Sequence, residues 1–265
     1  MKIGVLSNPH KIGNRETSVS FVRFLENNGF AVTEYQNARD VGGVDVCIVL
    51  GGDGTILHAV EFTAPKGIML IGVNYGTLGF LAEFEKNEAE EIVGLLKSLE
   101  MGDCPVLKRS MLEVKFNGMK HYALNEIVIR REYGEEDASM LKLSVEVNGV
   151  ESDEILGDGA LLCTPTGSTA YSLSAGGPIL DPRCPVYMLT PICAFSLNAR
   201  PVVLPETDTV SLKILRSDGI LIVDGYMVGA LKTGEKITVK KSPFTADFPE
   251  RGSAKFLKKV WQKLK

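Results

Sequence analysis

The chain has 265 residues, 45% of them hydrophobic and 23% charged, an ordinary composition for a soluble globular protein with core enough for one large domain or two modest ones. Its formal charge of −4 provides no global positive field for nucleic acid, and no apolar stretch reaches the ~18–20 residues that span a bilayer. The five cysteines (Cys47, Cys104, Cys163, Cys184, Cys193) are odd in number and form no C-x-x-C pair, which argues for reduced thiols in a cytoplasmic protein and against structural zinc.

Met1 to Leu6 runs straight into a strand, Ile3 to Ser7, without the character of a signal peptide, and ends at Asn8-Pro9. Ser18 is placed to cap a helix carrying Val19, Phe21, Val22 and Leu25, closed by Gly29. Strands follow at Ala31 to Tyr35, Val46 to Leu50 and Ile68 to Val73, with a helix after the third and another from an Asn87/Glu90 capping box through Leu99. This alternation predicts a parallel sheet with helices on both faces over residues 1–103. Ligands in such sheets bind beyond the carboxyl ends of the strands, where Asn8-Pro9, Gly51 to Thr55 and Asn74 to Gly79 all fall.

From Cys104 the texture changes. Leu112 to Phe116, Tyr122 to Ile129, Leu141 to Val147, Ala160 to Cys163, Val210 to Leu215, Ile220 to Val223 and Lys236 to Lys240 read as strands joined by Asn-Gly and Gly-Asp-Gly turns. Residues 104–244 are therefore expected to form a β-sandwich-like domain whose one helix starts near Thr169. The tail, about 245–265, ends in an amphipathic stretch with Phe256, Leu257, Val260, Trp261 and Leu264 on one face and lysines elsewhere. It is expected to dock that stripe on the first domain, with Trp261 as a core or interface anchor; an acidic membrane surface is the less favoured alternative.

Gly51-Gly52-Asp53-Gly54-Thr55 joins a buried strand to a helix start. Glycines there bring bare backbone N–H groups close to an anion such as a phosphate. Asp53 repels that anion unless it takes a proton from a hydroxyl or helps hold a divalent cation; otherwise it simply caps the helix. A second constellation runs from Thr164 to Pro178, where small hydroxyl residues cluster around glycines. Asp158 lies just upstream between two glycines, and Asn125-Glu126 interrupts an apolar strand with side chains on opposite faces. Each of these has a plain reading as a turn, a cap or an exposed pair; together they point to a site.

On these residues the sequence resembles the NAD kinases, which phosphorylate the 2′-hydroxyl of the adenosine ribose of NAD. The resemblance rests on Gly51 to Thr55, Asn125-Glu126, Gly157 to Gly159 and Thr164 to Pro178, and extends to Asn74 to Phe80, Arg200-Pro201 and Asp224-Gly225. It implies an α/β domain followed by a β-sandwich-like domain, assembled as a homodimer or homotetramer. It makes Asp53 the general base and has Gly51, Gly52, Gly54 and Thr55 cradle the donor phosphates of ATP. Phe80, Asn125, Thr166, Thr169, Ala170, Tyr171 and Ser174 become contacts to the nucleotides, Glu126 positions substrate or metal, and Asp158 reaches the dinucleotide across a subunit interface. His58 stands where the family often has a basic residue, and either contacts phosphate or is a buried helix histidine. Mg²⁺ is the implied cofactor, with no metal ligand assigned. Leu156, Phe195 and Tyr226 depart from the arginine, histidine and glutamine frequent at those places, and all three fall around the dinucleotide pocket.

The chain lacks the G-x-x-x-x-G-K-S/T pattern of P-loop kinases. Two alternatives stand beside the leading one: a kinase with the same glycine motif acting on a lipid or sugar, and a non-catalytic dinucleotide sensor.

Overall fold

The computed structural model describes residues 1–7, 15–76, 79–132, 139–250 and 253–264. Asn8-Pro9 and Thr77-Leu78, named above, lie outside the described residues. The chain divides into two compact units, Met1–Arg109 with Phe244–Lys265, and Ser110–Pro243.

The first unit is built on a five-stranded parallel sheet in the order β2-β1-β3-β4-β5. The strands are β1 (Lys2–Ser7), β2 (Ala31–Tyr35), β3 (Val46–Gly51), β4 (Met69–Asn74) and the short β5 (Phe84–Glu85). Every residue of β3 is buried, because the sheet is covered on both faces. Ile48 and Leu50 point to the side where α1 (Arg15–Asn27) and α3 (Ala89–Met101) deliver Phe21, Leu25, Ile92 and Leu96. Cys47 and Val49 alternate to the other face, which α2 (Asp53–Thr63) covers with Ile56, Ala59 and Val60. Fully burying each such aliphatic side chain contributes roughly 1.5–3 kcal/mol, which is why an uncharged β-branched run becomes the central strand.

Two expected caps are corrected. Ser18 does not start a helix. It lies inside α1, fully buried, donating to the Arg15 carbonyl at 3.0 Å and the Glu34 carboxylate at 2.7 Å. The Asn87/Glu90 capping box is absent too. Glu88 occupies the N-cap of α3 without a side-chain cap, and its carboxylate accepts the Glu85 N–H at 2.8 Å.

The second unit holds two six-stranded sheets, ordered β10-β9-β14-β17-β6-β7 and β13-β12-β11-β8-β15-β16. The first comprises β6 (Val106–Phe116), β7 (Met119–Ala123), β9 (Leu141–Val147), β10 (Val150–Gly157), β14 (Val210–Arg216) and β17 (Lys236–Pro249). The second comprises β8 (Glu126–Arg131), β11 (Gly159–Cys163), β12 (Val186–Ile192), β13 (Val202–Pro205), β15 (Gly219–Val223) and β16 (Tyr226–Leu231). Side chains from both sheets, among them Leu112, Val114, Leu143, Ile127, Ile129 and Leu162, share one core. The other face of the second sheet packs Val128, Leu161, Cys163 and Met188 against Ala175 and Leu180, so β11 is also buried on both faces. The helix expected near Thr169 is a 3₁₀ turn, Gly167–Thr169, followed by a single turn, α4 (Tyr171–Ser174).

The strand expected over Tyr122 to Ile129 is two strands, β7 and β8, broken at Leu124-Asn125. The break has a cause: the Asp224 carboxylate takes the N–H groups of Leu124, Asn125 and Glu126 at 2.7, 2.8 and 3.0 Å.

The final helix, α5 (Ser253–Lys263), belongs to the first unit. Val260 is buried at its centre, yet Leu257, Trp261 and Leu264 are 54%, 64% and 53% exposed, so of the two expected places for Trp261, core or interface, the core is excluded. Among the described residues, no helix is long and apolar enough to cross a membrane.

Candidate active site

The parallel register brings the two loops of the first unit together, because Gly51 at the end of β3 pairs with Asn74 at the end of β4. Gly52 is the N-cap of α2 and its carbonyl accepts from Thr55 and Ile56 at 2.9 and 3.2 Å. The N–H groups ahead of them begin a helix and have no carbonyl a turn earlier to bond. A Cβ added at Gly52 or Gly54 would meet no atom within 4 Å, so packing within the chain does not require glycine at either place. Close approach of a phosphate does require it. At Gly51 the reason is internal, since a Cβ would sit 2.7 Å from the Thr55 hydroxyl oxygen.

Asp53 does not cap its helix. It is the first residue of α2, half-buried, and its carboxylate reaches across to the loop after β4. One oxygen accepts the Phe80 N–H at 2.6 Å, and the other accepts Leu81 and Ala82 at 3.0 and 3.4 Å. A Cβ on Gly79 would collide with that carboxylate, so glycine is needed there to let the loop close on it. Asn74 supports the start of the same loop. Its amide donates to Glu85 and to the Gly76 carbonyl at 3.2 Å, and its oxygen accepts the Gly76 N–H at 3.0 Å. His58 stands further along α2, its ring edge-on to Phe62 and 4.0 Å from the Glu61 carboxylate. Phe80 is half-buried under the Lys263 ammonium.

In the second unit, Asn125 and Glu126 both lie buried beside the start of the Thr/Ser-rich turn. Thr164 ties the two segments: its N–H donates to the Asn125 carbonyl at 2.9 Å, and its hydroxyl donates to Leu124 while accepting from Gly167. Gly167 lies so close to the Asn125 backbone that a Cβ would overlap it. Thr166 is buried, Thr169 and Ala170 are half-buried, and Tyr171 and Ser174 face outward. Glu126 has one oxygen buried without a hydrogen-bond partner. Burial first, and the Asp224 carboxylate second, push its carboxyl up to about 8, against the opposing Tyr171 N–H. Near neutral pH this side chain is mostly a neutral acid, able to donate as well as accept. Cys163, its partner across the β8–β11 ladder, is pushed up to about 12, chiefly by burial, and remains an inert thiol.

Asp158 is elsewhere. It precedes β11 and holds the Arg131 guanidinium at 2.9 Å, at the end of the β8–β11 pair opposite Glu126. Cys163 lies five residues further along the chain, about 16 Å at ~3.3 Å per residue. Phe195 and Tyr226 are 72% and 56% exposed, and the Phe195 N–H donates to Leu156 at 2.8 Å.

The structure gives a part to two polar residues that the sequence placed in the resemblance without a role. Asn74 shapes the loop over Asp53, and Asp224 shapes the backbone of Asn125-Glu126. Asp224-Gly225 was named only as part of the resemblance; its backbone turns at φ of +46° and +83°, and nothing local announced a partner about a hundred residues away.

Two family models match the chain: the ATP-NAD kinase N-terminal domain over residues 31–101 and the ATP-NAD kinase C-terminal domain over residues 124–250. The NAD kinase of Methanothermobacter thermautotrophicus is 34% identical, the match covering 100% of this chain and 96% of that protein. The chain belongs to the NAD kinase family. The NAD kinase of Treponema denticola is 38% identical over 75% of this chain and 71% of its own. Two solved structures share the fold at 26% identity. Yeast NADH kinase in complex with NADH has a TM-score of 0.87, over 100% of this chain and 87% of that one. The Archaeoglobus fulgidus NAD kinase in complex with ATP has 0.80, over 99% and 98%. Membership of the NAD kinase family carries with it a phosphotransferase with an alcohol group as acceptor. It also accounts for an α/β unit joined to an antiparallel β unit.

Proposed function

We propose that this chain transfers the γ-phosphoryl group of ATP to the 2′-hydroxyl of the adenosine ribose of NAD, with Asp53 as the general base. The carrying observation is the Asp53 carboxylate itself, held by three backbone N–H groups beside a glycine-lined helix start. An ionised carboxylate offers about four lone-pair positions. Three are taken, which fixes its angle and leaves one for a hydroxyl proton. As the ribose oxygen bonds to phosphorus and the bond to the departing ADP breaks, that proton passes to Asp53. A positioned base of this kind is worth about 10²–10⁴-fold. The free N–H groups at Gly52 to Gly54 supply fixed donors for the phosphate oxygens, which suits a reaction that needs alignment and charge stabilisation more than covalent help.

Among the described residues no cluster of three or more His, Cys, Asp or Glu forms a metal cage. With the remaining position on Asp53 given to the hydroxyl, a cation such as Mg²⁺ would arrive on its substrate, held chiefly through phosphate oxygens. When bound there it would neutralise the triphosphate.

Asn125, Glu126, Thr166, Thr169, Ala170, Tyr171 and Ser174 are assigned to the dinucleotide. A neutral Glu126 can donate to a phosphate or hydroxyl oxygen without repelling it, which favours substrate over metal as its partner. Asp158, distant along the strand from Glu126, fits a contact made to another subunit's dinucleotide in a homodimer or homotetramer. Exposed Phe195, whose N–H bonds the Leu156 carbonyl two residues before Asp158, and exposed Leu197 favour such an assembly. Five free cysteines suit a reducing, cytoplasmic compartment.

The test is to incubate the protein with ATP, Mg²⁺ and either NAD or NADH, and to read NADP with a dehydrogenase strictly dependent on it, after oxidation of the NADH arm. NADP accumulation from NAD is expected. Binding of NAD without NADP would favour the sensor, and phosphorylation of a lipid or sugar without NAD binding would favour the other kinase.

A further inference from the structure

The three N–H donors that hold Asp53 come from a segment with no helix or strand of its own. Between Gly79 and Phe84 the chain is fixed by few points. Leu81 and Ala82 are buried, and the Glu83 N–H reaches the Gly72 carbonyl at 2.9 Å. Two further restraints come from the far end of the sequence. The Lys259 ammonium donates to the Ala82 carbonyl, and the Lys263 ammonium stands 4.3 Å above the centre of the Phe80 ring. Residues 259 and 263 are one helical turn apart and share a face of α5. Buried Val260 seats that helix on the unit. The two lysines therefore grip the two ends of the three-residue stretch whose backbone orients the base.

We propose that α5 is a positioning element for phosphoryl transfer: Lys259, assisted by Lys263, fixes the Phe80–Ala82 backbone and through it the angle of the Asp53 carboxylate. Lys259 has the stronger grip, because an ammonium on a carbonyl is a charge-assisted hydrogen bond, whereas the ring contact of Lys263 is weaker and less directional. Their contacts with the Ala82 carbonyl and the Phe80 ring act on the carboxylate through the peptide groups between. This rests on the reading of Asp53 as the base. It assigns the terminal helix a part in turnover rather than in substrate binding.

The experiment compares kcat and KM for NAD and ATP in Lys259→Met, Lys259→Arg, Lys263→Met and Lys258→Met, with Asp53→Asn as reference and the folded fraction of each measured by circular dichroism. Lys258 is exposed on the same helix and controls for removing one charge. Lys259→Met is expected to lower kcat about 5–20-fold with both KM values within about twofold, since ångström-scale misplacement of a reacting group costs up to about 10²-fold. Lys259→Arg should recover most of the loss, Lys263→Met should lose less, and Lys258→Met should match the parent. A raised KM for ATP at unchanged kcat would overturn the proposal, as would a loss of kcat explained by the folded fraction. An inert Asp53→Asn beside a fully active Lys259→Met overturns the role of α5 and leaves the base in place. An active Asp53→Asn overturns both.

Discussion

Glu126 opens strand β8 and Asp53 opens helix α2, and the surroundings of the two carboxylates set them apart. Asp53 is surrounded by N–H donors, three of them, whereas Glu126 is buried beside a second carboxylate that has claimed the local donors for itself. Burial is the larger cause of the upward shift at Glu126, and Asp224 adds to it. The sign follows from linkage. The folded protein holds this proton up to about pH 8, whereas an unfolded chain releases it near 4.5, so stability drains away as pH rises between those values and is level above them. The full loss is on the order of 3–5 kcal/mol, at about 1.4 kcal/mol per pH unit. Glu126→Gln removes the titration. Denaturant midpoints measured from pH 5 to pH 8 should therefore show the Gln variant gaining on the parent with each unit of pH, and parallel curves would refute the assignment.

At the scale of elements, the sequence located several strands well, because β1, β3, β4, β11 and β15 are mainly apolar runs and β9 and β14 alternate apolar with polar residues. Strands β10, β12, β13 and β16 were not legible. β10 carries Glu151, Asp153 and Glu154 at a sheet edge, where backbone pairing on one side is enough and polar side chains are tolerated. β12 and β13 contain Pro191 and Pro205, which argue against a strand when read locally. The tail misled in the opposite direction. Its stripe predicts one buried face, but only part of it is covered, with Val260 buried and Trp261 mostly exposed. Trp261→Ala should thus change the unfolding free energy by no more than about 0.5 kcal/mol, as for an ordinary surface site. A loss of several kcal/mol in dilute protein would mean that the indole is covered.

Across the whole molecule, the chemistry was legible where residues adjacent in sequence carry it: Gly51 to Thr55, and Thr164 to Ser174. What could not be read is how distant segments finish those motifs. The donors to Asp53 lie 27 to 29 residues downstream, Asp224 comes back to Asn125 and Glu126 from about a hundred residues away, and Lys259 reaches Ala82 across 177. Such contacts depend on register and on where a helix ends, neither of which a local pattern contains. The account as a whole depends on Asp53 taking the hydroxyl proton, so the most direct measurement is single-turnover NADP formation by Asp53→Asn, with NAD affinity measured on the same preparation. The predicted result is a rate lower by about 10²-fold or more with NAD affinity within about threefold of the parent. NADP formed at the parental rate would contradict it.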